Sequence, residues 1–141
     1  MKTLTLVIAI LSLAVTTSCN KNQNGTKSQN NPDLTDVKWK LTSLLGKDID
    51  DSEAFISFAT EDNKVFGNTG CNNFMGTYTL KEGMRFELSP LATTRRMCTD
   101  MSVETQFLEV LEKADNFSIK DNTLSLQKAK TAPLAVFVLM E

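Results

Sequence analysis

Val65-Phe66-Gly67-Asn68-Thr69-Gly70-Cys71-Asn72-Asn73-Phe74-Met75-Gly76-Thr77-Tyr78 decides how this chain folds. Three glycines, three asparagines and a cysteine stand between two runs of apolar, β-branched and aromatic residues. Glycine and asparagine tolerate positive φ, so the centre of the stretch reads as a specific loop between two strands. A second stretch, Leu91-Ala92-Thr93-Thr94-Arg95-Arg96-Met97-Cys98, carries the other cysteine expected in the folded body.

Working outward, the strand period recurs on both sides. Val37 to Leu44 alternates apolar and polar, with Val37, Trp39 and Leu41 on one face. Residues 54–58 and 64–68 read as the second and third strands, and residues 76–81 as the fourth. Glu82-Gly83 is a tight connection of the kind glycine permits. Met84 to Leu88 alternates as a fifth strand that Ser89-Pro90 ends. The period then changes. Val103, Phe107, Leu108, Val110, Leu111 and Ala114 fall on one face of a helix over residues 101–114. Thr99 or Asp100 can cap it, and Glu104 suits its positive end. Residues 116–120, 123–127 and 134–139 complete eight strands, with Asp121-Asn122 as a two-residue hairpin turn. The last strand is almost wholly apolar, which places it centrally or where both faces are covered. The eight phenylalanines at 55, 58, 66, 74, 86, 107, 117 and 137 are expected to fill the core. The fold class is therefore α+β: a small, strongly curved antiparallel sheet, barrel-like, of about eight strands. One helix lies between strands five and six. Closing such a sheet removes its exposed edges.

The chain has 141 residues, room for one modest domain. Charged residues are 23%, hydrophobic residues 41%, and the formal net charge is −2, which leaves no basic footprint for nucleic acid. There is no histidine, so the commonest general base and metal ligand is missing. The four acids Asp48, Asp50, Asp51 and Glu53 lack the order of a calcium loop and read as a solvated turn. No cofactor and no metal site is expected.

The first residues are a targeting segment. Lys2 precedes an apolar run, Leu4 to Val15, too short to span a bilayer as a stable helix. It ends in Thr16-Thr17-Ser18-Cys19, which resembles a bacterial lipobox, although Thr16 stands where an aliphatic residue is usual. The reading divides the chain into a signal peptide (1–18), a lipidated Cys19 with a flexible tether (19–33) and a domain (34–141). The alternative is an ordinary secretory signal whose cysteine is incidental. Residues 20–32 hold no large apolar residue and cannot offset their own ordering entropy.

Gly-x-x-Gly-Cys-Asn-x-Phe-x-Gly-x-Tyr, then Thr-x-x-x-Cys, a helix with Glu-x-x-Phe-Leu and a hairpin with Leu-x-Leu resembles the META domain family. Its type is the heat-inducible lipoprotein HslJ. The matching residues are Gly67, Gly70, Cys71, Asn72, Phe74, Gly76, Tyr78, Thr94, Cys98, Glu104, Phe107, Leu108, Leu124 and Leu126, and Thr94-Arg95 matches a Thr-Arg pair. The resemblance implies a barrel-like sheet with one helix. It also implies a cell-envelope setting with stress response, drug tolerance and secretion or motility as associations. It implies no enzymatic chemistry.

The signature loop comprises Gly67, Gly70, Asn72, Asn73, Gly76, Thr94, Arg95 and Glu104. With Cys19 set aside for lipid, Cys71 and Cys98 remain as an even pair. An oxidising compartment makes them a disulfide; the alternative is two buried thiols. Without a nearby base neither is a nucleophile. Glu104 either pairs with Arg95 or Arg96 or is solvated. Asn72 and Asn73 are expected to bond their own loop backbone. The reading is thus a non-enzymatic lipoprotein, anchored in the outer membrane facing the periplasm, acting on an unknown envelope protein. A carrier with an apolar cavity inside the barrel is the alternative, and an enzyme the third class.

Overall fold

The computed structural model describes residues 33–50 and 52–141; the leader, Cys19 and residues 20–32 lie outside them. Among the described residues, ten strands, one α-helix and a short 3-10 turn at Glu61–Asn63 follow one another. The strands are β1 (Lys38–Leu44), β2 (Lys47–Asp48), β3 (Phe55–Ala59), β4 (Lys64–Asn68), β5 (Asn73–Lys81), β6 (Arg85–Leu88) and β7 (Ala92–Thr93). After α1 (Ser102–Lys113) come β8 (Asn116–Lys120), β9 (Thr123–Gln127) and β10 (Ala135–Leu139).

Eight of the strands close an antiparallel barrel in the order β1-β10-β9-β8-β6-β5-β4-β3 and back to β1. The closing seam pairs Trp39 with Leu139 and Leu44 with Ala135. β2 extends β1, and β7 pairs with the start of β5. The expected helix position needs correction: α1 follows the seventh strand, because the two-residue pairings β2 and β7 carry no periodicity to read. α1 also starts later than residue 101. Asp100 Oδ1 accepts the Ser102 N–H at 2.8 Å, which draws the Asp100 carboxyl below its ordinary range.

Period two fills the interior. Trp39, Leu41, Ile56, Phe58, Val65, Leu124, Leu126 and Phe137 are fully buried, and α1 adds Phe107, Val110 and Leu111. Phe58 packs edge-on against Tyr78 at 5.3 Å and Phe86 at 6.2 Å; Phe107 touches Phe74 and Phe137. Two phenylalanines depart from the expected core. Phe55 and Phe66 have the outward parity of their strands, and Phe66 is 37% exposed. β10 is paired on both edges as expected, yet its outer face is open at Val138.

The turns explain the strand ends. β6 starts at Arg85 rather than Met84 because Gly83 (φ 74°) and Met84 (φ 59°) are both left-handed. Asp121 (φ 49°) and Asn122 (φ 60°) form the expected hairpin turn. β5 begins at Asn73, three residues before the expected start, so the cysteine loop is only Thr69–Asn72. One end of the barrel thus carries the entering chain at Asp33 and the turns at 60–63, 82–84 and 121–122. The other end carries the turns at 45–46 and 69–72.

Candidate functional site

Gly67 permits the close packing beneath the cysteine loop. It pairs with Ile56 on one side and Phe74 on the other. A Cβ there would stand 2.1 Å from the Phe55 carbonyl oxygen and 2.7 Å from the Phe74 ring. Gly70 takes φ 96°, where a side chain is strained, and its N–H donates to Asn68 Oδ1 at 2.7 Å. These two positions turn β4 into β5 tightly enough for Thr69, Cys71 and Asn72 to be buried.

Asn72 is the hub. Its Oδ1 accepts the Thr94 hydroxyl at 2.8 Å and the Arg96 N–H at 2.7 Å. Its Nδ2 donates to the Arg96 carbonyl at 3.0 Å and to Glu104 Oε1 at 3.1 Å. One side chain therefore ties together the cysteine loop, the 94–98 segment and α1. The expectation that the Asn72 side chain serves its own loop backbone is corrected: within the loop it reaches only the Cys71 sulfur, and its other partners, Thr94, Arg96 and Glu104, lie more than twenty residues away. Asn73 is nearer to it, since its Oδ1 accepts the Asn68 amide at 2.8 Å and its N–H donates to Thr94 Oγ1.

Glu104 is the buried counterpart. Its Oε2 accepts the Thr69 hydroxyl at 2.6 Å and the Asn72 N–H at 3.1 Å. Among the described residues it makes no ion pair with Arg95 or Arg96, so neither earlier alternative holds. It is neither salt-bridged nor solvated, being 8% exposed. The reason is its helix face: Glu104, Phe107 and Leu111 stand in one row facing the barrel. Arg95 is exposed, and the arginine the cluster uses is Arg96, whose guanidinium donates to the Cys71 carbonyl. Gly76 lies inside β5, where a Cβ would crowd Leu91 and Ser89.

Cys71 and Cys98 are joined, with Cα atoms 6.1 Å apart across 27 positions. The bond and the Asn72 network clamp the same two segments. Thr69 was missed as a member of the cluster, and Arg96, expected as a partner of Glu104, joins it through Cys71 and Asn72 instead. Thr69 sits two residues from Gly67 and beside Gly70, and that spacing carries no signal of burial. Chemically the cluster offers no free thiol and no carboxyl open to solvent. No cation-binding group of acids and cysteines occurs among the described residues.

A closed antiparallel barrel with one helix and a disulfide-clamped Gly/Asn loop defines a small α+β barrel domain. The META domain model matches residues 32–141, and the chain belongs to the META domain family. No curated protein matches it. An NMR structure of a protein from Burkholderia xenovorans is similar at 21% identity and TM-score 0.61, over 76% of this chain and 83% of that one. A second NMR structure is similar at 27% identity and TM-score 0.59, over 75% of this chain and 91% of that one. The crystal structure of a DUF4847 family protein from Bacteroides vulgatus shares the fold at 13% identity and TM-score 0.57, over 74% and 93%.

Proposed function

We propose that the chain is a membrane-anchored envelope lipoprotein whose META barrel is a non-enzymatic interaction or structural module with a stress-related role. Cys19 carries the lipid, and the barrel faces the periplasm from the outer membrane. The observation that supports this reading is the double clamp on the signature loops. Both domain cysteines are consumed in one bond, and Glu104 is consumed by buried donors. Such a site is rigid and preorganised for contact, with no side chain left to move a proton or attack a substrate. A disulfide also suits an exported setting. The stress role rests on the family resemblance.

The packed interior disfavours the carrier reading. Trp39, Phe58, Phe107, Phe137 and Leu41 occupy the barrel axis with no exposed surface. Five grooves, among them those lined by Phe86 to Leu91 and by Leu80 and Met84, open on the outside of the wall or at its end.

Mass spectrometry of the mature N-terminus tests the anchor: a diacylated or triacylated Cys19 is expected in the membrane fraction. A soluble product cleaved elsewhere refutes it. Affinity capture from membrane fractions, compared between wild type and Asn72→Ala, tests the interaction role. Turnover in an esterase, peptidase or thiol-exchange screen that disappears in Cys71→Ser would overturn the non-enzymatic reading.

A further inference from the structure

The barrel end at which the chain enters is apolar and incompletely covered. Leu80, Phe117 and Ile119 have the inward parity of β5 and β8 but lie at the rim, with Met84 in the neighbouring turn. Leu80 is 47% exposed and Met84 57%. Together with Asp33, Leu34 and Thr35 they line a groove of about 370 Å³. The described chain thus begins at the edge of this apolar mouth.

Chain length makes that placement consequential. Cys19 and Asp33 are 14 positions apart, at most about 50 Å of fully extended chain. A lipid on Cys19 therefore attaches to the domain at the edge of the mouth; the tether is longer than the distance of about 23 Å between the two ends of β5, so it is the exposed apolar rim that would turn this end to the bilayer. The intervening segment, Asn20 to Pro32, has no large apolar residue to seat in the groove itself. Charges beside the mouth are mixed: Lys81, Arg85 and Lys120 against Asp33 and Glu82. Contact then depends on apolar insertion and not on anionic lipid.

The geometry points to a lipid-docking surface: the mouth formed by Leu80, Met84, Phe117 and Ile119 rests on the membrane that holds the anchor. This inference rests on the lipoprotein reading above. It also fixes which way the signature loop points. Asn73 and Leu80 stand toward opposite ends of β5, about 23 Å apart at strand rise. The clamped loops are held away from the membrane, toward the aqueous side.

The test uses the full acylated protein in phosphatidylethanolamine/phosphatidylglycerol vesicles containing nitroxide-labelled lipid. A bimane probe is placed through Met84→Cys at the mouth, or through Met75→Cys on the wall near the signature loop. The joined Cys71–Cys98 pair and the acylated Cys19 do not take the label. Quenching of the Met84 probe is expected to be several-fold stronger than that of the Met75 probe. It should be unchanged when phosphatidylglycerol is replaced by phosphatidylcholine, and it should fall to the Met75 level in Leu80→Asp. Equal quenching of the two probes in protein that still floats with vesicles overturns the docking and leaves the anchor standing. Failure to float overturns the anchor reading itself. A Met84 probe that is shielded as protein density rises, with no quenching by lipid, assigns the mouth to a second copy and also overturns the proposal.

Discussion

Replacing Glu104 by glutamine changes one atom and almost no volume, yet it should cost about 2–3 kcal/mol. The carboxyl group receives three donors: the Thr69 hydroxyl and the Asn72 N–H on Oε2, and Asn72 Nδ2 on Oε1. An amide has a single acceptor oxygen. If that oxygen takes the Oε2 position, its NH2 faces Asn72 Nδ2, donor against donor at the present 3.1 Å. Asn72 cannot relieve this by turning over. Its Oδ1 already accepts from Thr94 and Arg96, and its Nδ2 also serves the Arg96 carbonyl. If the amide is reversed, two donors lose their acceptor instead. A buried donor left unpaired costs about 1–3 kcal/mol, and the repulsion adds to it. For a domain of this size that corresponds to a fall in Tm of about 10–20 °C. Urea unfolding of both proteins under non-reducing conditions measures it, with equal m-values required for the comparison. A loss below about 0.5 kcal/mol, within the range of ordinary surface substitutions, would refute the claim that this network is fully committed.

Two further outcomes follow from the same structure. Cys98→Ser opens a loop spanning 27 positions and, on the chain-entropy model, should destabilise the domain by about 3.5 kcal/mol; Cys71→Ser with Cys98→Ser should lose the same amount in denaturant titration. Asp36 accepts the Thr60 N–H at 2.9 Å and its hydroxyl at 2.8 Å, and the backbone bond foremost holds its carboxyl below the usual range. A lowered folded-state value stabilises above the ordinary carboxyl range and loses that contribution as pH falls through it. Asp36→Ala should therefore flatten the acid side of a Tm–pH profile below about pH 4, with little change in slope near neutrality.

Most of the barrel was legible because strands advertise themselves by alternation. Trp39 and Leu41, or Leu124 and Leu126, read inward from their spacing alone, and they are inward. Parity also exposes where the reading failed. Phe66 was assigned to the core for being aromatic, although Val65 and Gly67 already claimed the inner face of β4. β2 and β7 were invisible because two residues cannot show a period. In the site, the glycines and the cysteine pair were legible from residue chemistry. The roles of Asn72 and Glu104 were not, since their partners lie in the 69–72 loop, the 94–96 segment and α1, which meet only in the tertiary fold. One signal was available: Glu104 precedes Phe107 by three and Leu111 by seven, which puts an acid on the buried helix face.

The seam between β1 and β10 sets the order in which the barrel forms. Trp39 must wait for Leu139, one hundred positions later, before the second edge of its strand is paired. Bringing such distant segments together costs about 4 kcal/mol in loop closure before any contact is made, which makes closure a late event. A chain that lacks β10 holds β1 through β9 with two raw edges, at β1 and at β9. Without β10 no cylinder closes, and the sheet keeps both edges open to pairing with other strands. The strand β10 is thus the closing element: the cylinder exists only once it has found β1.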